Sequence, residues 1–300
     1  MHFFTPNGFH TTLGPHEPVL RVADGDTVAA KTVDAHGFDW QGEQVAVRPN
    51  PQTGPFYVEG AEPGDALAVR FDCLTPIRAW GFTSSIVAAE VVEPGFAREL
   101  PAREWIRWRI DTARGTATQE THAGALSPFT IPLEPMVGCF GVAPAGGQAI
   151  STATSGPYGG NMDYRGFRDG VTAYLPVSVP GALFFIGDGH AVQGDGEIVG
   201  TGIETAFEMQ FTVRVIKGKQ LNGPRGEDDH NIFTIGNARP LELALQSATT
   251  EMIRWLRDDY GLDLHAASLV LGQCVRYDIG NVYDPAFTVA CRLQKQWLQL

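Results

Sequence analysis

"AFEMQFTVRVI", residues 206–216, alternates without a break. Phe207, Met209, Phe211, Val213 and Val215 fall on one side, and Glu208, Gln210, Thr212 and Arg214 on the other. Successive side chains of a strand point to opposite faces, so this segment reads as a strand with one face in a core and one toward solvent. The chain before it repeats the signal. "VLRVADGDTVAAKTVDA" (19–35) alternates around a Gly-Asp turn, and "FYVEGAEPGDALAVRFDCL" (56–74) is again strand, turn and strand. "AYLPVSVPGALFFIG" (173–187) carries two prolines close together, which predicts strand starts or sheet edges. Roughly the first 215 residues therefore read as β.

The last third changes character. "PLELALQSATTEMIRWLRDDYG" (240–261) opens with proline and closes with glycine, and Leu241, Leu245, Met252, Trp255 and Leu256 recur at helical spacing. "DLHAASLVLGQC" (263–274) fits helix or strand, "AFTVACRLQ" (286–294) reads as a final strand, and "LNGPRGEDDHN" (221–231) as a polar junction. The expected class is β-rich α+β: a β body over 1–218 and a smaller α/β portion over 219–300, packed as one globular unit.

With 300 residues, 43% of them hydrophobic, the chain can bury a substantial core. A net charge of -12 argues against nucleic acid and anionic membranes as partners, and implies weak repulsion of small anions. Cys73, Cys139, Cys274 and Cys291 form no CxxC pair, so a zinc knuckle is not expected and free thiols are. The first twenty residues lack a basic segment followed by an apolar run, and no stretch is long enough to span a bilayer. A soluble cytoplasmic protein is the expectation.

Chemistry concentrates in "IGDGHAVQGDGEIVGTGIE" (186–204), directly after the apolar "ALFF". In an extended chain Asp188 and His190 point to the same side, and a carboxylate beside an imidazole can share a metal ion. The glycines around them would let Asp195, Glu197 and Glu204 turn back to the same point. The plain alternative is a Gly-Asp-Gly hairpin with a solvated acidic rim. "SGPYGGNMD" (155–163) sets Asn161 and Asp163 among glycines, a loop suited to holding a ligand or merely a Gly-Asn turn. Asp34 and His36 in "VDAHGFD" are candidates by residue type, and Glu59 is a carboxylate in an apolar context that can equally face solvent. Cys139, between glycines in "MVGCFGVAP", would need a base or a positive neighbour to act as a nucleophile. The four lysines (31, 217, 219 and 295) stand in no suggestive context, and no G-x-S-x-G elbow occurs, so a buried apolar role for Cys139 is expected.

These pieces resemble the acetamidase/formamidase family. The block "YLPVSVPGALFFIGDGHAVQGDGEIVGTGIE" (174–204) carries most of the resemblance. The segments at 19–35 and 54–69, then "GVAP", "GGNMD" and the C-terminal helix with its "YG", follow in the family's order. The resemblance implies hydrolysis of short aliphatic amides to carboxylate and ammonia, a β-sandwich or barrel body with an α/β C-terminal portion, and a homodimer or higher homo-oligomer. Two segments depart from the family's usual run, "HGFDW" (36–40) and "RYDIGNVYDP" (276–285). Either can reshape a pocket wall or a subunit contact. Lactam-opening members keep a cyclic amide open as substrate.

The expected cofactor is a divalent metal, zinc first. Asp188 and His190 are the leading ligands, with Asp163 and Asp34 behind them, and Glu204 is the general base. Asn161 and Glu197 are assigned to the substrate side, Asn161 to orient the amide and Glu197 also as an alternate ligand. The competing class is a calcium-dependent binding module, because oxygen-rich sets suit that ion. His190 counts against it, since imidazole is a poor calcium ligand.

Overall fold

Alternation over 206–216 becomes a ten-residue strand, Phe207–Ile216, hydrogen-bonded on both sides. It pairs antiparallel with Thr27–Thr32 and with Ala66–Pro76. The side chains of Phe207, Met209, Phe211 and Val213 are fully buried, while Glu208 and Arg214 are exposed. A computed structural model describes residues 1–120, 124–126 and 128–298. In it this strand lies inside a nine-stranded sheet, ordered His2–Phe4, Thr27–Thr32, Phe207–Ile216, Ala66–Pro76, Thr172–Pro176, Arg225–Glu227, Asn231–Ala238, Phe287–Gln294, Arg276–Asn281.

A second sheet of six strands runs Ser155–Gly156, Gly159–Asn161, Met136–Val142, Phe184–His190, Thr53–Val58, Leu20–Val22. The inner faces meet through aromatic rings. Phe184 and Phe56 of the second sheet stand edge-on to Phe211 of the first, at 5.2 and 5.4 Å between centroids, and Phe140 meets Phe71 at 5.0 Å. Such edge-to-face pairs add about 0.5–1.5 kcal/mol each beyond the area they bury. Both sheets are open, so of the two β architectures expected the chain forms a sandwich and not a closed barrel. A third sheet of four strands (Trp80–Ser84, Trp105–Asp111, Thr116–Gln119, Thr130–Pro132) has its own core of Ile106, Trp108, Ile110, Ala117 and Ile203.

The prolines of 173–187 sit at a strand end (Pro176) and in the following turn (Pro180), and neither strand of that stretch is at an edge. The C-terminal helix α1 spans Leu241–Tyr260 and ends on Gly261, whose φ of 67° supplies the left-handed cap. Its buried stripe is Ala244, Ala248, Met252, Trp255 and Leu256, whereas Leu245 is exposed. The offset from the expected stripe follows from close packing. A Cβ built on Gly236 would lie 1.8 Å from the Ala244 carbonyl oxygen, so only small residues fit where helix meets sheet. Residues 263–274 resolve as helix, α2 Leu264–Cys274, with Asp263 capping the Ala266 amide. The polar stretch 221–231 holds the short strand Arg225–Glu227, its charge answered by a buried Arg225–Glu251 pair at 2.9 Å. Among the described residues no helix is long and apolar enough to cross a membrane.

Candidate active site

The Phe184–His190 strand is buried along its whole length, so "GDGH" is not a solvated turn. Gly187 and Gly189 do not bend the chain; they clear space. A Cβ on Gly187 would lie 2.7 Å from Gln52 Nε2, and one on Gly189 2.2 Å from the Phe207 ring. Asp188 itself takes φ 58°. Among the described residues six non-glycine residues have such left-handed backbone, and four of them, Asn50, Asp163, Asp188 and Glu197, belong to one cluster. Backbone held there costs on the order of 1–3 kcal/mol per residue and collects at functional sites.

His190 is at the centre. Its Nδ1 lies 2.8 Å from Gln193 Oε1, and Gln193 Nε2 donates to the Asp163 and Gly280 carbonyls, which fixes which end of that amide is oxygen. The ring proton of neutral His190 therefore sits on Nδ1, leaving the Nε2 lone pair free. Nε2 stands 3.0 Å from Glu204 Oε1 and 3.4 Å from Asp188 Oδ1, without hydrogen-bond geometry to either. Glu204 Oε1 accepts from the Gly202 amide at 3.0 Å. Asp163 Oδ2 accepts from Asn281 Nδ2 at 2.8 Å. Asn161 and Asn281 both donate to Asp284 Oδ2, and Asn50 donates to Asn161 Oδ1 at 2.6 Å and to Asp188 Oδ2 at 3.2 Å.

Four buried atoms in this centre have no hydrogen-bond partner: Asp163 Oδ1, Asp188 Oδ1, His190 Nε2 and Glu204 Oε2. Donor atoms of Asp188, His190 and Glu204 lie within 4.8 Å of one another, as do those of Asp163, His190 and Glu197. Glycines keep the centre open. A Cβ on Gly138 would fall 2.4 Å from Asp163 Oδ1, and one on Gly202 2.5 Å from the His190 ring.

Electrostatics point the same way. Burial raises the Asp163 and Glu197 carboxyls well above their usual values, helped by Asp188 and Asp284 for the first and by Asp163 and Asp284 for the second. Burial also lifts Glu204 to about 7, against the pull of His190. For His190 burial acts downward, but the Glu204 and Asp188 carboxylates outweigh it and hold the ring well above its ordinary value. Buried carboxyls this close together either keep their protons or are ionised opposite a compensating cation. One imidazole nitrogen with several carboxylate oxygens is a donor set that zinc accepts, and the acid-rich remainder would also suit calcium.

Of the expected residues, the structure brings together Asp188, His190, Asp163, Glu204, Glu197 and Asn161. It does not bring Asp34. That carboxylate is ion-paired with the buried Arg78 at 2.6 Å and accepts from the His36 and Phe38 amides, so it has no oxygen to offer an ion. Both ends of the Asn161 amide are already engaged, so it holds Asp284 and Asn50 in place as well as facing the pocket. Glu59 is exposed beside Arg21 at 3.6 Å. Cys139 is fully buried, and burial with Asp188, Asp163 and Asp284 nearby raises its thiol far above the reactive range. Asp284, Asn281, Gln193 and Asn50 were not singled out from sequence. Asp284 and Asn281 lie within the divergent "RYDIGNVYDP", so the departure was visible although its role was not.

A cavity of about 350 Å³ opens onto the centre. Asp188, Glu204 and Asp284 lie on its lining, with His36, Arg48, Trp105 and Tyr283 also around it. Both divergent segments thus contribute to one wall. Burial, with Arg48 close by, pushes His36 down to about 4, so its ring is neutral near pH 7. A wider cleft of about 510 Å³ around Arg70, Arg165 and Arg168 contains none of the clustered acids.

Comparison with known proteins gives a consistent set of relatives. The model of the acetamidase/formamidase family matches residues 7–148 and 145–245. An acetamidase of Mycolicibacterium smegmatis is 29% identical over 241 residues, covering 63% of this chain and 58% of that protein. The chain spans about three-fifths of the length of the curated relatives it matches. The solved structure of an acetamidase from Yersinia enterocolitica superposes with a TM-score of 0.86 at 33% identity, over 100% of this chain and 93% of that one. A gamma lactamase from Delftia acidovorans, at 20% identity and a TM-score of 0.62, shares the fold.

Proposed function

The chain belongs to the acetamidase/formamidase family, and we propose that it hydrolyses short aliphatic amides to carboxylate and ammonia with the help of a divalent cation, zinc first. The observation that carries the reading is the set of four buried, partnerless donor atoms on Asp163, Asp188, His190 and Glu204, beside a cavity that admits a small molecule. Asp188 and His190 would hold the ion, with Asp163 and Glu197, which form a separate group with His190, as further or alternate ligands. A bound divalent ion supplies a Lewis acid that makes water acidic and polarises an amide carbonyl.

The protein's own groups do the rest. Glu204, anchored through Oε1 to the Gly202 amide, lines the cavity with Oε2 unpartnered and takes a proton from the attacking water. It returns that proton to the amide nitrogen as the C–N bond breaks, so water and amide leave as carboxylic acid and ammonia. Asn161 keeps one further donor hydrogen and one lone pair beyond its bonds to Asp284 and Asn50, enough to orient the amide.

Ammonia release from formamide, acetamide, propionamide, a five- or six-membered lactam and a dipeptide, with elemental analysis of the same preparation, tests the proposal. Linear amides should lead the panel and a dipeptide should fail. A dipeptide as best substrate would reject the proposed substrate class. Calcium alone with no ammonia from any amide would favour the binding module.

A further inference from the structure

The amidase reading leaves most of the cavity unused. At about 350 Å³ it has room for roughly a dozen waters at about 30 Å³ each, whereas acetamide has four heavy atoms. The unused part has a definite chemistry. Trp105, His36 and Tyr283 form an aromatic wall, with the His36 ring 4.9 Å from Trp105. Two permanent cations, Arg48 and Arg103, are found on the described lining. Arg103 is committed to the wall, donating to Tyr283 Oη at 3.0 Å and to the Val199 carbonyl at 3.2 Å. Arg48 is not. Among the described residues it makes no hydrogen bond or ion pair, although the cavity it lines also contains Asp188, Glu197, Glu204 and Asp284.

Arg48 is exposed on this lining and has no partner among the described residues, so its guanidinium is free for an incoming anion. We propose that the preferred substrates are amides whose acyl chain ends in a carboxylate, the monoamides of dicarboxylic acids, and that Arg48 is the specificity-determining residue that binds this carboxylate. The amide end lies at the buried acids and His190, the methylene chain runs along Trp105 and His36, and the carboxylate meets the Arg48 guanidinium, whose fork suits it. Overall the chain repels anions at a net charge of -12, so only a local cation would select one.

This inference rests on the amidase reading, and its test separates the two. Ammonia release is measured for malonamate, succinamate and glutaramate against uncharged propionamide, butyramide and valeramide, for the metal-loaded enzyme and for Arg48→Gln and Arg48→Lys. Wild type should favour the carboxylated member of at least one pair in kcat/KM by about tenfold to a hundredfold, the range of a charge-assisted hydrogen bond. In Arg48→Gln that selectivity ratio should collapse toward unity through a rise in KM, and Arg48→Lys should restore part of it. A merely structural role would lower both members of a pair together and leave the ratio unchanged. No preference in wild type, or a ratio unaltered in Arg48→Gln, overturns the inference while the amidase reading stands. If no amide is hydrolysed, the amidase reading falls. Binding of succinate and glutarate, read as a rise in melting temperature, then decides on Arg48 alone: a shift seen in wild type and absent from Arg48→Gln supports it, and no shift overturns it.

Discussion

Replacing Gly202 by alanine tests whether clearance around His190 is what makes the centre work. The added Cβ would stand 2.5 Å from His190 Cγ and 2.6 Å from Nδ1, where ordinary contact begins near 3.4 Å. The imidazole or the 202 backbone must therefore yield by about 0.9 Å, deep in the repulsive part of the potential. Neither yields easily. The ring is held through Nδ1 by Gln193, and Gly202 is held through its amide by Glu204. Overpacking of this kind costs about 1–3 kcal/mol. With a shift of about 2–4 °C per kcal/mol for a domain slightly smaller than this chain, melting should drop by roughly 2–10 °C. On the proposed metal-assisted reading the functional loss should be larger, because a ligand displaced by more than about 0.5 Å would no longer meet an ion and a 1 Å error costs about a hundredfold in rate. Thermal melting, metal content and ammonia release are measured together, with Gly194→Ala as control. Gly194 has φ -81° and no atom within 4 Å of a built Cβ, so alanine there should be neutral or stabilise by up to about 1 kcal/mol. If Gly202→Ala melts like wild type and keeps its metal and turnover, the packing argument for the site is wrong.

Three further outcomes follow from the same geometry. Glu204→Gln keeps shape but cannot take a proton, so kcat should fall about 10²–10⁴-fold with metal content near wild type; loss of the metal would reassign Glu204 as a ligand. Cys139→Ala should retain most activity, at a stability cost within about 0.5–3 kcal/mol, and wild type incubated with substrate should show no acyl adduct by intact mass; complete loss in the variant with an adduct on wild type would make Cys139 the nucleophile. In chelator-treated protein Glu204 binds its proton more tightly folded than unfolded, with its carboxyl moved from 4.5 to about 7. The folded state then holds more protons across that window, so stability should decline as pH rises from about 4.5 to about 7, and the raised His190 acts in the same direction. Adding back the divalent ion at pH 8 should restore the melting temperature; a chelated protein equally stable at pH 5 and pH 8 would contradict the buried charge described here.

Alternation over 206–216 was enough to place a two-sided strand, because face selection in a strand has a period of two and needs no distant information. The Pro-to-Gly span of α1 was legible for a similar reason: caps act within a turn of the helix end. The acid-rich block after "ALFF" likewise announced costly groups that must be answered somewhere. Which groups answer them is a through-space matter. Asp34 and Asp163 look alike in sequence, yet Arg78, 44 residues from Asp34, takes one out of the centre, while Asn281, 118 residues from Asp163, holds the other in it. Asp284 arrives with the strand and turn that carry Asn281, so it has no local signature as part of a site near residue 190. The glycines of "GDGH" show the same limit. Locally a glycine signals freedom to turn, but Gly187 and Gly189 are extended, and what they supply is the missing Cβ where Gln52 and the Phe207 ring press against the strand. Periodicity and capping are properties of neighbouring residues and can be read along the chain; ion pairing and steric clearance depend on distances that exist only once the sheets have packed.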